Sequence, residues 1–583
     1  MNHVWAQFER LIGILLVSCF GVGAAAAASS SSPAYHAITP TMENESIELT
    51  GQGLTVDQII KVARYGAKVR FSSEILQKVK AQYALRQQAG EENIAVYGLN
   101  RGPGALREVV KPVNQPALAV PIWLNGGTLP ELEDEDLARA IMLIAVNTST
   151  FATSVPEELQ IFVNLLNNRV TPVFYSRGAL GEGDLWLLNP LQSVIVGRGD
   201  AYYRGVRMKA GDALKKAGIR PQSFEVFFSG GNAFGDALAA LFVEDGRKAL
   251  EWADLIYAMD KLAMNSSVTP MAAAVQAKRH FKWVNWDAAR IMDMLRGSYL
   301  FDDDPKRILQ DPESMRASYI RQGAAWQAWA ALKDAVETQI NGSETNSLPL
   351  VNASPEDSWE LSTPQFMKYY VKGGASSEGP HGYILSNANW DPYPLANQVE
   401  AFTNALANMD AAVAQRIERF SDRSPTAFFT GIKPADVLTP EQVKASPALS
   451  EPYFVFMDIW AEIQNLSRSI TPEGNAMDVG VADVEAFTRI KGTRGLQVVD
   501  LTMELLSYDL LTATYWMDVR KLQDPSRQYA RAPMAVWTEF RREVPWQMDP
   551  ALRPEVPYGV IAYDFLKKSP ASRFYQDGPS MPQ

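Results

Sequence analysis

From about Glu48 onward, apolar positions recur every three or four residues along most of the chain, the spacing that holds them on one side of an α-helix. In VEAFTNALANMDAAVAQRIERF, residues Val399, Phe402, Leu406, Met409, Val413, Ile417 and Phe420 make one continuous stripe, which predicts a long bundle helix. The segment Leu496 to Leu522 is apolar nearly all round apart from Asp500, Glu504 and Asp509. Such a helix belongs in the middle of a bundle or at a subunit interface. Phe234 to Ala263 predicts a third long helix. Glycine-rich or acidic breaks at Asn100 to Gly104, Gly178 to Leu185, Ser229 to Gly235, Phe301 to Arg307 and Gly373 to Tyr383 mark the loops. No internal repeat of solenoid length is present. The pattern therefore predicts a mostly α protein with a long central helical bundle, a more mixed N-terminal region carrying loops, and a Pro- and Arg-rich tail wrapped on the surface.

Composition narrows the partners. The chain has 583 residues, 47% of them hydrophobic and 21% charged, an ordinary globular balance and enough for several cores or one large helical assembly. Its net charge of −11, with Lys and Arg scattered, offers no basic face for phosphates, which argues against nucleic acid and anionic lipid. The first 34 residues carry Arg10, an apolar run from Leu11 to Val22 and then small residues, the layout of an export signal with a Ser-rich linker behind it. Cleavage falls near Ala27 or Ala28. Alternatively, Leu16-Val17-Ser18-Cys19 has the form of a lipobox, which would lipidate Cys19 and anchor the protein to a membrane. Both readings send the protein out of the cytoplasm, to the periplasm. Cys19 is the only cysteine and only His36, His280 and His381 lie beyond the signal, so disulfides, thiol catalysis and a metal site are not expected.

Seven stretches carry a resemblance when read in order: ELTGQGLTVDQIIKVARYGAKV, YGLNRGPG, FVNLLNNRVTPVF, GDL, LRGS, QDPESMR and SNANWDP. Collinear over roughly Ile47 to Leu522, they are similar to the aromatic amino-acid ammonia-lyase family, the histidine and phenylalanine lyases. That resemblance implies a long central helical bundle, a homotetramer whose sites take residues from several subunits, and elimination of an amine from an amino-acid-like small molecule to give an unsaturated acid. In the family the electrophile is a methylidene-imidazolone made from an internal Ala-Ser-Gly, the serine losing its hydroxyl to become the alkene.

The family pattern GSVGASGDL meets GALGEGDL here, one residue shorter, with Glu182 between two glycines. Glu182 cannot dehydrate to an alkene, so no prosthetic group is expected to form; a ring closed on Gly181-Glu182-Gly183 would lack the methylidene. Other positions match. Tyr97 aligns with the catalytic base and Asn100 keeps its loop, although Arg101 and Pro103 replace the usual threonine and phenylalanine. Arg316 matches the arginine that clamps the substrate carboxylate through a two-pronged fork, while Glu313 replaces the tyrosine of that motif. Asn389 and Trp390 stand where the family has asparagine and phenylalanine, Ser229 where an asparagine touches the electrophile, and Ala482 near where a glutamate meets the amine.

The base and the carboxylate clamp survive while positions serving the electrophile change. One expectation is a lyase that expels an already good leaving group, such as a quaternary ammonium, for which ergothionase is the family precedent. Tyr97 would take the Cβ proton, Glu182 or Glu313 would face the cation, and Trp390 would add a cation–π contact. The alternative for Glu182 is a solvated loop carboxylate, and for Glu313 a carboxylate favoured by a helix N-terminus. The alternative for the protein is a catalytically silent exported homologue that binds an amino acid or aromatic acid. The selector should lie at Ala119 to Gly127, where Ile122 and Trp123 suggest an apolar wall. The chain then divides into a signal peptide (1–28), a linker (29–46), an N-terminal region carrying the active-site loops (47–232), a central bundle (233–522) and a C-terminal extension (523–583).

Overall fold

The computed structural model describes residues 35–102, 104–111, 126–181, 183–222, 231–420, 436–445, 453–470, 480–545, 554–576 and 578–582. Its N-terminal part is mixed, as expected. Strand β1 (Ser46–Leu49) pairs in parallel with β2 (Lys68–Phe71), and helix α1 (Val56–Ala63) lies between them in sequence. Thr55 starts α1 with a reciprocal capping box: its hydroxyl accepts from the Gln58 N–H while the Gln58 side chain accepts from the Thr55 N–H. Helices α2 (Ser73–Glu91), α3 (Glu135–Thr148) and α4 (Pro156–Asn167) follow, α3 buried along almost its whole length. Strand β3 (Thr128–Glu131) pairs antiparallel with β5 (Tyr175–Arg177), and β4 (Val170–Pro172) with β6 (Asp200–Tyr203), which also pairs with β7 (Val206–Lys209). Helix α5 (Leu185–Ile195) begins straight after the loop that leaves β5, and α6 (Ala210–Ala217) follows β7.

Four long helices make the bundle: α7 (Ala233–Met264), α9 (Glu313–Gln339), α10 (Tyr393–Arg419) and α12 (Thr488–Gln523). The shorter α8 (Lys282–Met294) and α11 (Tyr453–Leu466) pack against them. Nearly every side chain of α7 is buried, the charged Asp236, Asp254, Asp260 and Lys261 among them, so this helix lies at the centre of the bundle with packing on every face. Helices α7 and α12 approach closely because α12 turns glycines toward its partner. A Cβ on Gly492 would lie 2.8 Å from the Leu238 Cβ, and one on Gly495 2.7 Å from the Phe242 ring. Charge also crosses this core. Arg416 of α10 is fully buried and pairs with Asp260 of α7 and Asp509 of α12, each at 2.6 Å. A buried guanidinium held from two sides fixes the relative register of three helices, since removing either partner would leave an uncompensated charge. A small sheet closes the far side of the N-terminal part, with β8 (Leu348–Val351) and β9 (Tyr370–Lys372) flanking β10 (His381–Leu385).

The C-terminal segment differs from the surface appendage its composition suggests. Helices α13 (Arg531–Glu543) and α14 (Tyr558–Lys568) bury Val536, Phe540, Phe565 and Leu566 in the same apolar core as the bundle. The Trp252 indole of α7 donates to the carbonyls of Leu566 and Ser569. Residues His36–Gln583 accordingly form one unit. Among the described residues, no helix is long and apolar enough to cross a membrane.

Candidate active site

The loop GALGEGDL runs from β5 into α5, and all three of its glycines have positive φ: 138° at Gly178, 83° at Gly181 and 60° at Gly183. Side chains other than glycine rarely adopt these angles. Gly181 is also hemmed in, because a Cβ there would lie 2.8 Å from the Thr488 N–H nitrogen and 2.9 Å from that of Phe487. The start of α12 therefore sits directly on the loop. The Phe487 N–H donates to the Leu180 carbonyl at 2.7 Å, and Phe487 is itself left-handed at φ 54°. A bulky residue so placed costs about 1–3 kcal/mol, and such strain clusters at functional sites.

Beneath the loop lies a fixed polar floor. Asp184 is buried and its carboxylate accepts from the Gly181 N–H at 3.2 Å. Burial pushes this carboxyl up to about 6 against the opposing pull of the Gly181 and Gly235 N–H groups and the Arg489 guanidinium. The N-cap position of α7, Asn232, joins three pieces of chain. Its Oδ1 accepts from the Gly183 N–H at 2.8 Å, its Nδ2 donates to the Trp390 carbonyl at 2.8 Å, and its own N–H donates to Glu344 Oε2 at 3.1 Å. Glu344 is also buried and accepts from Gln339 Nε2 at 3.1 Å. Burial pushes the Glu344 carboxyl up to about 7, and burial followed by repulsion from Glu344 raises Asp236 of α7 well above the carboxylate range. Two neighbouring carboxyls out of water cannot both ionise, so Asp236 and Glu344 hold a proton between them. The N-terminal end of α7 is a favourable place for the remaining negative charge.

The expected site residues fall into three groups. Tyr97 and Asn100 share one turn. The Tyr97 hydroxyl accepts from the Gly104 N–H at 3.0 Å, while Asn100 is buried, accepting from the Val96 N–H at 2.9 Å and donating to the Ile94 carbonyl at 2.8 Å. Asn100 thus closes the turn that presents Tyr97. Trp390 and Asn389 sit beside the glycine loop: the Trp390 backbone is held by Asn232, its indole donates to the Asn387 carbonyl at 3.0 Å, and Asn389 is exposed. Glu313 and Arg316 occupy the first turn of α9, loosely paired at 3.9 Å, with the Glu313 side chain 90% exposed. Their turn is anchored from below by Asp311, which accepts from the Ser267 N–H and faces the buried Lys261 ammonium. Among the described residues, no hydrogen bond or ion pair joins these three groups to one another within the chain. Glu182, Ser229, Ile122, Trp123, Pro103 and Cys19 lie outside the described residues.

The sequence pattern of the family described as aromatic amino acid lyase matches residues 54–542. The chain belongs to the aromatic amino acid lyase family. A histidine ammonia-lyase of Treponema denticola is 26% identical over 501 residues, covering 82% of this chain and 89% of that protein. Histidine ammonia-lyase 2 of Fusobacterium nucleatum is 27% identical over 315 residues, which cover 52% of this chain and 61% of that one. The fold is similar to the crystal structure of the ergothioneine-degrading enzyme ergothionase from Treponema denticola, solved with desmethyl-ergothioneine sulfonic acid. The TM-score there is 0.77 at 20% identity, over 91% of this chain and all of the other.

In this member of the family, the residues that hold the glycine loop lie outside the motifs that carry the resemblance. Asn232 and Asp236 lie in SGGNAFGD, where a short glycine run before a helix was a local signal for an N-cap. Glu344 carried none, because it meets Asn232 across 112 positions. The contact of Phe487 and Thr488 with Gly181 is equally long-range.

Proposed function

We propose that this chain is a carbon–nitrogen lyase that eliminates an amine from an amino-acid-like substrate without a methylidene-imidazolone. The observation that carries the reading is the loop itself. Gly178 to Leu185 contains no Ser, Thr or Cys, so its residues do not fit the prosthetic group. Yet the loop is held by Asp184, Asn232 and the start of α12 rather than left slack. Without a built-in electrophile the leaving group must be good from the outset, as a quaternary ammonium is.

In this reading Tyr97, as phenolate, takes the Cβ proton. The electron pair of that C–H bond forms the C=C bond, and the C–N bond breaks with its pair leaving on the amine. Arg316 holds the carboxylate through two N–H donors. Glu182 or Glu313 opposes the cation, and Trp390 offers its ring face. The exposure of Glu313, with Arg316 half-buried beside it, supports a site completed by a neighbouring chain, as a homotetramer would supply. The leader supports export to the periplasm, with a lipid anchor only if Cys19 is processed. A panel of free and N-trimethylated aromatic amino acids, followed by the ultraviolet absorbance of the conjugated acid, tests the reading. Turnover of trimethylated members only, lost in Tyr97→Phe, is the expected result. Binding with no turnover in either protein would instead leave a silent amino-acid-binding homologue. A water-loss mass deficit on the peptide spanning Tyr175 to Leu188 would overturn the absence of the prosthetic group.

A further inference from the structure

A groove lined by both charged and apolar residues lies between the end of α11, α10 around Glu400 to Asn404, and the first turns of α12. It is shallow and open to solvent, and its charged lining consists of Lys491, Arg468, Arg494 and Glu400. Three basic residues and one acidic residue thus line it, in a chain whose net charge is −11. Glu400 is already engaged at both oxygens, accepting from the Ile470 N–H at 2.6 Å and facing Lys491 Nζ at 3.4 Å. The Lys491 side chain is only 2% exposed, its ammonium held inside the protein against Glu400 and over the Tyr393 ring. Arg494 donates to the Arg468 carbonyl at 3.3 Å, which brings the two arginine residues together. Among the described residues, neither has a carboxylate partner. The neutral groups of the wall are occupied: Thr403 donates to Val399, Asn404 to Glu400 and Ser467 to Gln464, each at a backbone carbonyl.

We propose that this groove binds a small dianionic oxyanion of the phosphate or sulfate class. Among the described residues lining the groove, two positive charges remain after Glu400 is counted, and clustering like charges without a counter-ion costs free energy that a dianion removes. Guanidinium N–H donors match oxyanion geometry, with the buried Lys491–Glu400 pair behind them. The position gives the site a reach beyond itself. Lys491 lies one helical turn after Thr488, which packs on Gly181, and Arg468 and Ile470 close the segment after α11. A bound dianion therefore ties the end of α11 to the part of α12 that packs on the glycine loop.

Titration calorimetry of the full chain with inorganic phosphate, without substrate, tests the site apart from any lyase activity. One saturable site per chain is expected, weakened by added sodium chloride and accompanied by a higher melting temperature. The double variant Arg468→Gln/Arg494→Gln should bind at least tenfold more weakly while its circular dichroism matches wild type. Glu400→Gln, which removes the competing carboxylate, should bind severalfold more tightly; this gain cannot come from misfolding. Absence of saturable binding to wild type, equal binding by the arginine variant, or equal binding of acetate would each overturn the proposal.

Discussion

The Tyr97 hydroxyl accepts one backbone hydrogen bond, from Gly104, and the turn around it is closed by the buried Asn100 amide instead. Tyr97→Phe should therefore fold normally by circular dichroism while turnover falls about 100-fold or more, the range for losing a general base. Asn232 has the opposite balance. Asn232→Ala strips partners from the part-buried Gly183 N–H and Trp390 carbonyl, and each hydrogen bond lost there costs about 1 kcal/mol net. A lower melting temperature together with reduced turnover is expected; unchanged stability would remove Asn232 from the frame of the loop. The two residues also differ in how they could be read from sequence. Tyr97 lies in a local motif whose residues meet within one turn. Asn232 acquires its role from Trp390, 158 positions away, and no spacing rule encodes such a meeting.

The α7 N-terminus makes the fold sensitive to pH. Glu344 has an ordinary value of 4.5 and is pushed up to about 7 in the folded chain, mainly by burial. Between those values the folded chain binds more protons than the unfolded one, so the contribution to stability is full below 4.5 and is lost as pH rises through 7. Asp184, pushed from 3.8 up to about 6, acts in the same direction at lower pH. Melting temperature should fall from pH 4.5 toward 7, and Glu344→Gln, which never ionises, should make that slope shallower and raise stability at pH 8. An unaltered slope would show that the Asp236–Glu344 pair does not carry the effect. The helices that build this end were legible because their periodicity is uninterrupted: the expected helix from Phe234 to Ala263 is α7, Ala233–Met264. The buried role of α13 and α14 was not, since Pro and Arg dilute their short apolar faces and the surface they cover belongs to α7 and α12.

At the scale of the whole molecule, Tyr97 and Arg316 belong to separate parts of the chain, the first in a turn after α2 and the second at the outward end of α9. The proposed reaction needs them on the same substrate, the base at Cβ and the guanidinium on the carboxylate a few bonds away. A site assembled from different copies satisfies both facts, and closed symmetric assemblies are the common way to build one. Complementation separates this from a site within one chain. Tyr97→Phe and Arg316→Gln should each be inactive alone. When the two are co-expressed in equal amounts and assemble at random, a shared site receives an intact Tyr97 from one copy and an intact Arg316 from another in about one case in four. Recovery of about a quarter of wild-type turnover in the mixed oligomer is the expected result, with gel filtration near four times the 64.5 kDa of the chain before any leader is removed. If both residues serve a site within one chain, every chain in the mixture carries a defect and no activity returns, whatever the oligomeric state.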